Sequence, residues 1–238
     1  MTNYGIDASQ RKAARIVGFC YLFSMAAGVF GDSYCTGHLI ADNAAETARN
    51  IVAHEGIFRL GIASYVISQM SDVALITALY VILKRVNQNL ALFAALTRMV
   101  QAAIGVVATL TGFAALRLLS SADYLRAFTT DQLAALAKIP LGVYGAGINV
   151  SFVFLGLGSA VFCHLWFKSN YIPRALAALG VFGSLLVAAG SLVFIIFPNL
   201  WKTLEPGYFA PLGVFEITMG FWLLLRGLRP SGLLSPTE

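Results

Sequence analysis

From Ser64 to Gln101 the chain reads SYVISQMSDVALITALYVILKRVNQNLALFAALTRMVQ. Apolar runs flank the polar connection at residues 84–89, and each belongs to a run longer than the roughly 20 residues that cross hydrocarbon as a helix. The stretch is therefore read as a membrane hairpin. It carries Gln69 and Asp72 on one arm and Arg98 and Gln101 on the other. Ionisable groups at that depth are costly, and they mark a buried pair or a pathway.

The rest of the chain agrees with that reading. Of its 238 residues 58% are apolar and only 11% charged, with a mean hydropathy of +0.78, far from the quarter-charged composition of soluble domains. Six apolar runs, at 14–34, 56–83, 90–119, 139–167, 173–197 and 208–225, predict an all-α polytopic membrane protein, a six-transmembrane-helix bundle. Strands of a membrane barrel would instead alternate apolar and polar residues. Residues 1–13 and 228–238 read as polar tails on a membrane domain at 14–227. The basic, then apolar, N-terminal stretch imitates a signal peptide, but we read it as a retained first helix.

Charge placement predicts orientation. With six spans, Arg11, Lys12, Arg15, Lys84, Arg85, Lys168, Arg174, Arg226 and Arg229 fall on one side, and Arg49, Arg117, Arg126, Lys138 and Lys202 on the other. The positive-inside rule then makes both termini cytoplasmic. No basic groove with aromatic platforms supports nucleic-acid binding.

Local signals refine the connections. Asn43 with Glu46, and Thr129 with Gln132, have capping-box spacing, which predicts short surface helices at about 44–54 and 129–138 on the outer side. Pro140, Pro173 and Pro211 are each expected to open a span, where a missing amide hydrogen costs nothing. Pro198 and Pro206 bracket an outer loop holding Trp201. Trp166 and Trp222 are expected as interfacial anchors at the basic side. Gly142, Gly145, Gly147, Gly156, Gly158 and Ala160 let helices approach closely in lipid, within one bundle or at a seam between two copies.

The buried charges can be placed by the helical rise of about 1.5 Å per residue. In an antiparallel hairpin Asp72 matches Gln101 in level, with Arg98 within a turn. Gln69 and Asp72 are three apart, as are Arg98 and Gln101, so each pair shares a helix face. Glu216 lies roughly 15 Å along its helix from Arg226 and is a candidate for the same cluster, as is Asn149. One reading is structural, with Asp72 and Glu216 neutralising Arg98; the other is a midplane binding site or proton relay. Arg59 reads differently, as an interfacial residue that pairs with Glu55 four residues before it.

Cys20, Cys163 and His164 fall at similar depth, but adjacent helical residues point about 100° apart and no metal-ligand spacing is present, so no metal site is assigned. Three cysteines make no disulfide framework. Paired midplane histidines for haem are absent, as are a nucleophile elbow and a phosphate-binding glycine loop. No cofactor is expected and no catalytic class has a foothold.

Several segments carry a resemblance: Phe58-Arg59-Leu60-Gly61, Ser71-Asp72-Val73-Ala74-Leu75, Leu79-Tyr80-Val81-Ile82-Leu83-Lys84, Asn89-Leu90-Ala91-Leu92, and Phe167-Lys168-Ser169 with Tyr171-Ile172-Pro173-Arg174. With these the chain resembles, over nearly its whole length, the bacterial membrane family named domain of unknown function 4386. The resemblance implies that Arg59, Asp72, Arg98 and Glu216 are recurring polar positions. It also implies two departures: Gln101 where an acid is common, and Leu141-Gly142-Val143-Tyr144-Gly145 where a histidine-containing segment is common. The expectation is a bacterial inner-membrane protein with the lipid bilayer as its surroundings. Its role is read first as small-solute or proton-linked transport or binding. The alternatives are a helical subunit of a larger membrane complex and a lipid- or quinone-modifying enzyme.

Overall fold

A computed structural model of the chain describes residues 6–120, 122–200 and 207–229. Among these every regular element is helical. Helix α1 (Ala8–Val29) continues through a π-helical stretch, Phe30–Thr36, and a 3-10 turn, Gly37–Leu39. Then follow α2 (Ala44–Ala53), α3 (Glu55–Leu83), α4 (Gln88–Leu118), α5 (Thr130–Ser169), α6 (Arg174–Ile196) and α7 (Ala210–Leu225). Five helical segments are long and apolar enough to cross a membrane, and α7 is a shorter apolar helix. The protein is an all-α polytopic membrane protein. Its exposed positions include Phe19, Met70, Leu96, Val107 and Ile196, the outward apolar surface that lipid tolerates and water would not.

Capping chemistry sets several helix starts. Asn43 Oδ1 accepts a bond from the Ala45 amide at 2.8 Å, which fixes α2 where its spacing predicted. Thr129 and Gln132 form a reciprocal capping box, with the Gln132 amide donating to Thr129 Oγ1 at 3.3 Å and the Thr129 amide to Gln132 Oε1 at 2.9 Å. A second box went unread in the sequence. The Gln10 amide donates to Asp7 Oδ1 at 2.7 Å and the Asp7 amide to Gln10 Oε1 at 3.3 Å, so α1 is already helical at Ala8, ahead of its apolar run.

Two expectations are corrected. Residues 129–138 do not form a separate surface helix, because α5 runs 40 residues from Thr130 with Pro140 inside it. The proline removes one amide donor and crowds the carbonyl four residues before, yet the apolar helix to either side carries the chain through. Trp166 is not an interfacial anchor: it is fully buried, edge-on to Tyr171 with ring centroids 6.4 Å apart. Pro173 and Pro211 do stand at the starts of α6 and α7. The loop features expected at Trp201, Lys202 and Pro206 lie outside the described residues.

The chain divides into two compact units. The first comprises residues 1–25, 71–102 and 149–238. Its core is aromatic and branched aliphatic, with Phe162, Trp166 and Phe215 packed among Val17, Leu79, Ile82 and Met219. Within it α1 and α7 approach closely, since a Cβ placed on Gly18 would stand 2.9 Å from the Gly220 carbonyl oxygen. The second unit comprises residues 26–70 and 103–148. Leu39, Ile51, Phe58, Ile62 and Leu116 form its core. There Lys138 Nζ donates to the carbonyl oxygens of Ala41 at 3.1 Å and Asp42 at 2.6 Å, and so ties α5 to the loop before α2.

Candidate functional site

The first unit buries charge. Arg98 on α4 is 3% exposed and Asp72 on α3 is 7% exposed, and Arg98 Nη2 meets Asp72 Oδ2 at 3.1 Å. The helical rise explains the meeting. From Asp72 to Leu83 α3 climbs about 17 Å and from Gln88 to Arg98 α4 climbs about 15 Å, so both side chains stand at one level. The remaining valences are filled locally. Ser24 Oγ on α1 donates to Asp72 Oδ1 at 2.7 Å, and Arg98 Nη1 donates to Ser159 Oγ on α5 at 3.3 Å. Buried charges persist where they are paired and hydrogen-bonded.

Glycine at 158 makes room for this. A Cβ there would stand 2.7 Å from Arg98 Cγ and 3.1 Å from the Ala94 carbonyl oxygen. The arginine stem crosses α5 where α5 has no side chain. Tyr21 of α1 is buried and packs edge-on to Phe215, with centroids 6.0 Å apart. It lies within electrostatic reach of Asp72, Arg98 and Glu216.

Glu216 on α7 is half-buried and within electrostatic reach of both Arg98 and Asp72, yet it has no hydrogen bond or ion pair among the described residues. Gln101 is buried, 1% exposed, and stands a turn along α4, where Ser151 Oγ donates to its carbonyl oxygen at 3.2 Å. Asn149 is half-buried, and its Oδ1 is enclosed and accepts no hydrogen bond among the described residues. The first unit thus holds a charged level, with Ser24, Asp72, Arg98 and Ser159 joined and Glu216 beside them, and a polar amide level at Gln101, Asn149 and Ser151.

Gln69 belongs to the second unit. It is buried against α4, where a Cβ on Gly105 would stand 2.8 Å from its Nε2 and 3.3 Å from Tyr65 Oη. The Tyr65 and Tyr144 rings meet edge-on at 6.3 Å. Arg59 Nε bonds Glu55 Oε1 at 2.7 Å with both side chains half-exposed, as their spacing predicted. Cys163 is buried while His164, the next residue, is exposed, so the two point apart. No group of three or more histidine, cysteine or acidic residues is placed to hold a metal ion among the described residues.

Sequence reasoning missed Ser24, Ser159 and Tyr21. Single hydroxyls in apolar helices bond their own backbone as readily as anything across a seam, so composition does not single them out. Extending the level argument to α1 is the signal that could have found Ser24.

The chain is 28% identical over 169 residues, 69% of its own length and 82% of the relative, to a protein of Archaeoglobus fulgidus described as an uncharacterized protein. No solved structure matches. The family model described as "Domain of unknown function (DUF4386)" matches residues 16–227, and with that span covered the chain belongs to this family.

Proposed function

We propose that this protein is a small-solute or proton-linked transport or binding protein of the bacterial inner membrane, with both termini cytoplasmic and its working group at the Asp72–Arg98–Glu216 cluster. The observation that carries the reading is a charge count. Asp72 and Arg98 neutralise each other, and Glu216 stands beside them with no ion pair of its own among the described residues. An acid in a membrane helix with no ion pair of its own is costly and marks a place where a proton or a cation can be exchanged. A group that must gain and lose a positive charge is what coupling requires. The orientation rests on the basic residues of the N-terminal stretch, of the second and fourth connections and of the C-terminal end, by the positive-inside rule.

The test uses the full chain in proteoliposomes loaded with a pH-sensitive dye, screened against monovalent and divalent cations and small organic solutes under an imposed proton gradient. The reading expects a solute that accelerates proton movement in the native protein and fails to do so in Glu216→Gln. Infrared difference spectra should show a protonated carboxyl band that is absent from that variant. A silent screen together with no titrating carboxyl band would leave the cluster as a structural clamp and favour a helical subunit of a larger complex.

A further inference from the structure

The first unit contains a cavity of about 560 Å³ lined by Ile6, Arg11, Ala14 and Arg15 at the start of α1 and by residues 223–228 at the end of α7. Arg11 and Arg15 are four residues apart and so share one helix face. The opposite wall ends at Gly227, whose φ of +68° lies in the left-handed region that glycine adopts without penalty. Its amide returns to the Trp222 carbonyl oxygen at 3.2 Å, which stops α7 and turns Leu228 into the cavity wall. Arg226 joins the lining from this turn, its guanidinium carbon 5.4 Å from the centre of the Trp222 ring. The Trp222 ring also holds Arg229, at 4.7 Å.

Two features of this lining point to its occupant. Three arginines line it, and no acid is among the described lining residues. Asp7, next in sequence to Ile6, is engaged by Arg85, and Arg11, Arg15 and Arg226 have no ion pair among the described residues. Like charges gathered on one cavity call for an anion. The rest of the lining is aliphatic, with Leu225 80% exposed, a surface that a free inorganic anion would leave wet.

We propose that this cavity binds the headgroup of an anionic phospholipid, its phosphate held by Arg11, Arg15 and Arg226 and its adjoining acyl stems laid against Ile6, Leu225 and Leu228. A phosphate takes bidentate bonds from guanidinium, and a tryptophan beside the arginines suits the headgroup level of a bilayer. The site is separate from the buried cluster of α3 and α4 and does not depend on the transport reading.

The test is native mass spectrometry of the full chain in mild detergent, titrated with phosphatidylglycerol and with phosphatidylcholine of the same acyl chains. The native protein should retain the anionic lipid preferentially. Each basic residue near a membrane surface is worth roughly fivefold in affinity for anionic lipid, so Arg11→Gln with Arg15→Gln should lower that preference about 25-fold. Arg49→Gln with Arg117→Gln removes equal charge from exposed positions of the second unit and should leave the preference unchanged. Arg11→Lys with Arg15→Lys keeps the charge and should retain most of it, which separates lost binding from lost folding. An equal effect of the two neutralising pairs, or none from either, would overturn the proposal. So would displacement of the lipid by inorganic phosphate at matched concentration, because the aliphatic wall would then contribute nothing.

Discussion

The two units divide the same helices but treat charge in opposite ways. Among the described residues the first holds every lysine and arginine except Arg49, Arg59, Arg117, Arg126 and Lys138, while its acids are Asp7, Asp72 and Glu216. The second sets those remaining bases against Asp32, Asp42, Glu46, Glu55, Asp123 and Asp131. Beside a half-exposed pair between Arg85 and Asp7, the first unit holds a buried one, which the second unit does not show among the described residues. Arg98 and Asp72 are 3% and 10% exposed at the side chain, whereas Arg126 and Asp123 are 80% and 86% exposed. One contact type therefore has two weights: buried, losing one partner is costly; exposed, it is solvated decoration.

The largest effect should come from breaking the buried pair on one side. Asp72→Ala strands the Arg98 guanidinium, and losing one partner of a buried pair costs about 3–5 kcal/mol, which should appear as an early transition in denaturant unfolding from detergent. Removing both charges tests whether the pair itself stabilises. Asp72→Leu with Arg98→Met should recover most of the loss, since apolar residues of similar volume replace buried pairs at little cost. If the double variant unfolded as early as the single one, the rest of the cluster and not the pair would be holding the first unit.

Next in size is Gly158→Ala. Its methyl group would press on the Arg98 stem and on the Ala94 carbonyl, and overpacking costs about 1–3 kcal/mol. The stem is flexible and the carbonyl is not, so the loss should persist in an Arg98→Ala background, which removes the stem. Its disappearance there would assign the crowding to the arginine alone.

What the sequence made legible follows the range of each signal. The Asp72–Arg98 meeting could be read because a short connection fixes the level of two antiparallel helices and the rise per residue is constant. The caps at Asn43 and Thr129 could be read because their partners lie within one turn. The cap at Asp7 obeys the same rule, but it precedes basic residues that look like a tail. Ser24, Ser159 and Tyr21 join the cluster from helices whose rotation and pairing no local pattern records. The burial of Trp166 was missed for the same reason, since the average tryptophan near a helix end sits at the interface.

In the second unit the tie made by Lys138 should outweigh its surface ion pairs. Lys138→Met removes charge-assisted bonds to the Ala41 and Asp42 carbonyls, each worth about 1.5–3 kcal/mol in favourable settings. Since Asp42 is exposed and water can replace part of the loss, we expect about 1–2 kcal/mol. Faster amide hydrogen exchange across residues 39–47 would place that loss where the bond is.

The smallest effect is the one that isolates depth as the variable. Glu55→Gln breaks the Arg59 pair, whose geometry at 2.7 Å is shorter than the buried pair at 3.1 Å. If distance decided the energy, this variant would cost more than any change at Asp72. Both side chains are half-exposed, however, so water takes up the freed guanidinium and the i,i+4 pair contributes only about 0.3–0.5 kcal/mol. The loss should shrink further as salt is raised, because exposed charges are screened over about 10 Å at 0.1 M, while the Asp72→Ala loss should hardly change. Equal salt sensitivity of the two would mean that water reaches Arg98, and the distinction between the units would then lie in sequence position alone.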